Sequence, residues 1–303
     1  MKKTITLLYL LFTLCAAQSQ VTTAQLSNDV NSYVTSTTPA TVVKEDGINF
    51  YVITKEKSKK FDFAAFSVVL RAKIRSFFDR GTFYVVIAKS SEDAIEKMTR
   101  ILKDRNKMIA NIWFDSHGHY RNRYSSFRIG SDEFSYKNIN DTNATHYLQL
   151  LSAYCDERTK IGLGSCYSGA RYDFPKTDST EATPMKGDSL MIGVGNIFNR
   201  STVYGSEGWV MSKPGIFSNK YAFAGYILGK RYLKPMWTPV WEHLGEWNQY
   251  SARTGEFKAV NTVSLNRWGD IRIRERNYQD LNKAKTAIAA KLAIIHQNTT
   301  IPN

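Results

Sequence analysis

Short apolar runs alternating with amphipathic helical segments predict an α/β fold with a mostly parallel central sheet. Three observations carry that reading. Residues 48–53, 82–88, 109–114 and 160–164 are apolar, rich in β-branched and aromatic side chains, and have the length of strands buried on both faces. The segments between the first three runs carry apolar residues at helical spacing. The order strand, helix, strand, helix, strand then predicts a parallel sheet with helices on both faces.

In chain order, Met1-Lys2-Lys3, an apolar stretch over 5–14 and the small residues Ala16 and Ala17 have the layout of a secretory signal peptide, 1–19. The apolar stretch is too short to span a bilayer. The expected location is therefore secreted or periplasmic, with no transmembrane segment in the mature chain. A lipoprotein signal ending at Cys15 is the weaker reading, because Leu14 is too bulky for that cleavage pattern. Residues 20–46 are rich in Thr, Ser, Ala and Val, lack a helical stripe and read as a linker or pro-segment.

From the strand at 48–53 the chain continues into a helix over 61–80 that stops at Gly81, and then into the strand at 82–88. A second helix starts at Ser91 with Glu92 and Asp93 in its first turn and Lys103 to Arg105 near its end, as the helix dipole favours. After the strand at 109–114, residues 126–130 and 133–136 read as a hairpin and 144–158 as a crossover helix to the strand at 160–164. A helix over 190–199 and a strand over 201–206 follow. The polar, proline-containing stretch 171–188 is long for a loop and reads as a lid, binding loop or disordered segment. From about residue 231 the composition turns aromatic and proline-punctuated, with strand-like alternation over 246–277 and a basic helix over 281–296, which together predict a small β-rich appendage spanning 231–303.

The chemistry concentrates at the ends of two strands. One delivers Asp115-Ser116-His117-Gly118 and the other Ser165-Cys166-Tyr167-Ser168-Gly169. In open α/β sheets the usable crevice lies beyond the carboxyl ends of the strands, where both His117 and Cys166 fall. A thiol needs a base to react near neutral pH, and histidine is its usual partner. Gly118 and Gly169 let the chain turn sharply, and the amides of Gly118 and Cys166 are candidate oxyanion donors.

An apolar strand ending in His-Gly, followed 49 residues later (166 − 117) by one ending in Ser-Cys-x-Ser-Gly, resembles the caspase-like cysteine peptidases, a clan with caspases, metacaspases, legumains, gingipains and clostripains. The resemblance covers residues 47–230. It implies a caspase-like three-layer sandwich, a Cys166–His117 dyad, cleavage of peptide bonds through an acyl-enzyme, and no cofactor. Metacaspase-like members have an acidic residue two before the cysteine, where this chain has Gly164, and the caspase Gln-Ala-Cys-Arg-Gly pattern is absent. In the resembling peptidases the position of 171–188 often holds an activation loop that is cut; Asp173, Lys176, Asp178 and Lys186 are possible cut sites.

Further candidates surround this pair. Asp115 is expected to orient the base or bind substrate. Ser206, Glu207 and Trp209 follow the strand that in this clan borders the primary specificity pocket, and Glu207 would suit a basic substrate side chain. His119 makes a His-x-His pair with His117, but no carboxylate or cysteine cluster completes a metal site, so no metal is expected. Of the three cysteines Cys15 leaves with the signal, and Cys155 is expected as a core thiol too far from Cys166 for a disulfide. Asn143 and Asn199 stand in glycosylation patterns relevant only in a eukaryote, whereas the signal looks bacterial. The net charge of +14 fits either solubility alone or an anionic envelope or glycan surface, and comes with no nucleic-acid motif. Two functions follow: an exported cysteine endopeptidase, with transpeptidation as a variant, or a non-catalytic protein of the same fold binding a glycan or other anionic partner through its basic surface and the appendage's Trp237, Trp241, Trp247 and Trp268, tryptophans that read first as the core of that appendage.

Overall fold

The computed structural model describes residues 47–55, 74, 81–118, 123–174, 181–208, 210–211, 223–224, 246–260, 262–265, 269–274, 286 and 290. The expected signal peptide, linker, activation-loop centre and, apart from single positions, the helices at 61–80 and 281–296 lie outside these residues.

The centre is an α/β sheet of seven strands. We number them β1 (Ile48–Thr54), β2 (Phe83–Ala88), β3 (Ile109–Asp115), β6 (Lys160–Leu163), β9 (Thr202–Ser206), β12 (Trp247–Ser251) and β13 (Glu256–Val260). Their spatial order is β13-β12-β9-β6-β3-β1-β2. The five strands from β2 to β9 run parallel, and β12 and β13 complete the sheet antiparallel. Because β3 is buried along Ile109–Phe114, its apolar residues need not alternate; Ile112 and Phe114 face one layer and Trp113 the other.

Three described helices cover one face: α1 (Ser91–Arg105), α2 (His146–Ser152) and α3 (Gly187–Ile197). Ser90 caps α1 by accepting from the Asp93 amide at 3.1 Å, and Asn106 ends it in the left-handed conformation at φ 49°. Met98 and Leu102 of α1, Leu148 and Leu151 of α2 and Leu190 and Val194 of α3 bury against Phe50, Ile112, Phe114 and Ile161 of the sheet. The opposite face packs Tyr51, Phe83, Trp113, Tyr204 and Trp247 under a hairpin of β14 (Thr262–Leu265) and β15 (Ile271–Arg274), whose Val263, Leu265 and Ile271 are buried there. The expectation of helices on both faces is thus met on one face among the described residues, and a hairpin covers the other.

Two other expectations change. The C-terminal segment does not stand apart as an appendage: β12 pairs with β9 from Trp247↔Ser206 to Ser251↔Thr202, and β13 extends the same sheet. Alternation in the sequence shows that these are strands but not which edge they join. The crossover helix stops at Ser152 instead of 158. Beyond it the Asp156 amide donates to Thr159 Oγ1 at 3.0 Å and the Arg158 amide to Asp156 Oδ1 at 2.9 Å, local bonds that compete with helix.

The remaining elements are short. The expected hairpin is β4 (Ser126–Ile129) with β5 (Asp132–Ser135), turning at Gly130, whose φ of 61° and contact with the Lys89 backbone exclude a side chain. The stretch 171–188 holds a two-residue ladder, β7 (Asp173–Phe174) with β8 (Thr183–Pro184), and α3 starts at Gly187 rather than 190. A further pair is β10 (Val210–Met211) with β11 (Phe223–Ala224). Among the described residues no helix is long and apolar enough to cross a membrane.

Candidate active site

Adjacent parallel strands bring the two motifs to one rim of the sheet. β3 and β6 pair with Phe114 opposite Leu163, and the Gly164 amide continues the ladder to the Phe114 carbonyl at 2.7 Å. Asp115-Ser116-His117-Gly118 and Ser165-Cys166 therefore leave neighbouring strand ends side by side. Gly118 lies against the backbone of Cys166: a Cβ at residue 118 would lie 1.9 Å from the Cys166 carbonyl oxygen and 2.7 Å from its nitrogen. No side chain fits there. His117, immediately before, is exposed.

The turn carrying Cys166 is held from several directions. Ser165 is buried and donates to the Ser126 carbonyl at 2.8 Å. Tyr167 takes the left-handed conformation at φ 63°, with its amide on the Gly208 carbonyl at 2.8 Å and its carbonyl accepting from Ser125 Oγ at 2.7 Å. Ser168 donates to the Leu163 carbonyl at 2.9 Å and accepts from the Ser206 amide at 3.2 Å. A non-glycine residue at positive φ is tolerated when its surroundings over-determine it, as these bonds do.

The Cys166 residue is half-buried. Its sulfur accepts from the Val210 amide at 3.4 Å and faces the Val210 carbonyl at 3.6 Å, so the start of β10 lies across it. Burial pushes the thiol up; the amides of Val210 and Gly118 pull it the other way, and the Asp115 charge adds to the rise. Cys155, by contrast, is 3 % exposed, and burial pushes its thiol up to about 12. Neither cysteine is in a disulfide.

Asp115 ends β3 partly buried, and the hydroxyl of fully buried Tyr51 on β1 donates a short bond to its Oδ2. Ser116 Oγ accepts from the Arg128 amide at 2.9 Å, tying the histidine loop to β4. Glu207 and Ser206 follow β9 beside Cys166, as expected, but their surroundings alter their roles. Ser206 is fully buried, and its hydroxyl accepts from the Gly208 amide at 3.2 Å and donates to the Gly208 carbonyl at 3.1 Å. It shapes the turn and is not exposed to a substrate. Glu207 Oε1 accepts from Asn248 Nδ2 at 2.6 Å, and the same amide group donates to the Gly169 carbonyl at 2.9 Å. That glutamate is thereby joined to the framework under the cysteine turn. Trp209 and His119 lie outside the described residues. Among the described residues no group of three His, Cys, Asp or Glu side chains could hold a metal.

The glycine at position 164 has a steric explanation. A Cβ there would sit 2.3 Å from Trp113 Nε1 and 2.9 Å from the Phe114 carbonyl oxygen. The indole of Trp113 fills the space that a residue-164 side chain would need.

Several residues that shape the site carry no motif. Tyr51 lies 64 positions before Asp115, within an unremarkable apolar run. Asn248 is a polar residue in an otherwise strand-like Trp-Asn-Gln-Tyr sequence, and that interruption is its only signal. Val210 acts through its backbone and leaves none. No family model, curated protein or solved structure matches this chain.

Proposed function

We propose that this chain is an exported caspase-like cysteine endopeptidase acting through Cys166 and His117. The observation that supports it most is the seating of the His117-Gly118 turn on the Cys166 backbone, from strand ends that neighbour each other in the sheet. The strand order, with antiparallel strands added beyond β9, is compatible with the caspase-like sandwich.

In this mechanism Cys166 Sγ attacks the peptide carbonyl carbon and its proton passes to His117. The amides of Gly118 and Cys166 donate to the oxyanion. As the C–N bond breaks, His117 returns the proton to the leaving amine, giving a Cys166 thioester. Water then attacks the thioester, His117 taking its proton and handing it to the departing thiolate. An amine in place of water gives transpeptidation. Val210 must part from the sulfur for the substrate carbonyl to approach.

That same contact, with the raised thiol, favours a second reading: a non-catalytic protein of this fold that binds an anionic envelope component through its basic surface. Hydrolysis of a mixed-sequence peptide pool separates the two. The peptidase reading expects cleavage by the wild type and none by Cys166→Ala or His117→Ala. Absence of cleavage by all three, with retained binding to an anionic glycan, supports the binding protein.

A further inference from the structure

Tyr51 is fully buried in the middle of β1, where a phenylalanine would fill nearly the same volume. A phenol at that depth needs a partner for its O–H, and the sheet supplies one from the neighbouring strand. Parallel register sets Tyr51 opposite Trp113 and Ile53 opposite Asp115, and Tyr51 and Trp113 pack together in the hairpin-side core. Asp115, two residues beyond Trp113, leaves β3 on that same face. The tyrosine therefore reaches along two residue steps of strand, about 6.6 Å, to place its hydroxyl on Asp115 Oδ2 at the rim.

Contacts then fix the turn on both sides of His117. Tyr51 holds Asp115, the Arg128 amide donates to Ser116 Oγ at 2.9 Å, and Gly118 lies against the Cys166 backbone. Asp115 bears on the sulfur as well as on the turn. Burial and the Asp115 charge oppose a thiolate at Cys166, whereas the amides of Val210 and Gly118 favour one. The other titratable groups about the cysteine turn are His117, Tyr167 and Tyr172, which pack with Cys166 or precede Gly118, and Glu207, whose Oε1 accepts from Asn248 Nδ2 at 2.6 Å. Arg128, beyond Ser116, pairs with Glu133 at 3.0 Å. A carboxylate that accepts a hydrogen bond shares its charge with the donor, which weakens its field at a neighbouring anion.

We propose that Tyr51 is a positioning residue for the reactive thiol: its bond fixes the Asp115 carboxylate at the end of β3 and takes up part of that charge, so that the sulfur of Cys166 ionises more readily beside it. Tyr51 touches neither the sulfur nor a substrate in this scheme and acts through Asp115 alone. It links the packed core under the hairpin to the chemistry at the rim. The coupling of Tyr51 to the thiol stands on the hydrogen bond and the fold; its value to catalysis rests on the peptidase reading.

The test follows mass-mapped iodoacetamide labelling of Cys166 against pH in the full chain, in Tyr51→Phe, in Asp115→Asn and in the double variant, each checked for folding by circular dichroism. Tyr51→Phe should raise the midpoint and slow labelling near neutral pH by roughly threefold, because the whole Asp115 charge then faces the sulfur. In the Asp115→Asn background the same change should do nothing, since no charge is left to share. A merely structural tyrosine would lower stability in both backgrounds and leave both midpoints in place. An unmoved midpoint in folded Tyr51→Phe, or an equal rise with and without Asp115, would overturn the proposal. Should Tyr51→Phe not fold, a ring-fluorinated tyrosine at position 51, a stronger donor of nearly the same shape, should lower the midpoint, and no change there would overturn it equally. Hydrolysis of a mixed-sequence peptide pool separates the two claims. A midpoint that moves as expected with no cleavage by any form removes the peptidase and leaves the coupling, whereas cleavage whose pH profile ignores Tyr51→Phe does the reverse.

Discussion

Replacing Gly118 by alanine tests the packing of the two motifs at its tightest point. The added Cβ would meet the Cys166 carbonyl oxygen at 1.9 Å, its carbon at 2.7 Å and its nitrogen at 2.7 Å. Ordinary van der Waals contact begins at 3.4 Å, so the two backbones must separate by roughly 1.5 Å (3.4 − 1.9). No flexible side chain can absorb this, because all three neighbours are main chain. Overpacking of this kind is destabilising by about 1–3 kcal/mol, and because the turn lies at the surface, with His117 exposed, the lower end is favoured. Catalysis should suffer more. A displacement of about 1 Å at reacting groups lowers rate on the order of 100-fold, and the Gly118 amide moves with the loop. Urea unfolding and kcat/KM on a cleavable peptide, measured on the same preparation, should therefore show about 1 kcal/mol of lost stability beside a rate loss of about 100-fold or more. Gly118→Ala with wild-type kcat/KM would refute the claim that the His-Gly turn rests on Cys166.

Three further outcomes follow from the same geometry. Because burial holds the Cys166 thiol up and the Asp115 charge adds to the rise, iodoacetamide labelling of Cys166 should climb with pH through a midpoint above that of a free thiol, and Asp115→Asn should move the midpoint down; mass-mapped labelling rates check both. Cys155 should resist the reagent, and its folded-state rise makes the unfolded chain the first to lose that proton. The stability it contributes is present below pH 9 and declines toward pH 12, by about 2 kcal/mol near pH 10.5, a decline that urea midpoints should show as absent in Cys155→Ala. Asn111→Leu breaks a buried chain in which Asn111 Nδ2 donates to Asn49 Oδ1 at 2.7 Å and Asn111 Oδ1 accepts from the Ile271 amide at 3.1 Å; chemical denaturation should register a loss of about 2–4 kcal/mol.

The sequence made the parallel strands legible because buried strands need no alternation, and runs such as Ile109-Ala110-Asn111-Ile112-Trp113-Phe114 have few other homes. Helix α1 was equally readable from Ser91, its acidic first turn and its basic last turn. The end of α2 was not, because the Asp156 to Thr159 bonds that stop it depend on side-chain rotamers. The place of β12 was hidden for a different reason: a strand's own pattern does not name its neighbour. At the site, the positions of His117, Cys166 and Gly118 at strand ends followed from motif and topology together. The roles of Tyr51, Asn248 and Val210 depend on contacts across 64, 41 and 44 positions, which no local pattern encodes. Gly164 was visible as a departure from the metacaspase pattern, but its cause, the Trp113 indole, is a matter of packing.

The most direct measurement is the capture of an acyl-enzyme. The wild-type chain mixed with a peptidyl ester, quenched in acid and weighed intact should gain the mass of one acyl group, which digestion places on Cys166. Cys166→Ala should gain nothing, and His117→Ala should form and release the adduct far more slowly. An adduct on Cys155, or equal adducts with and without His117, would contradict a shared notch for the imidazole and the thiol.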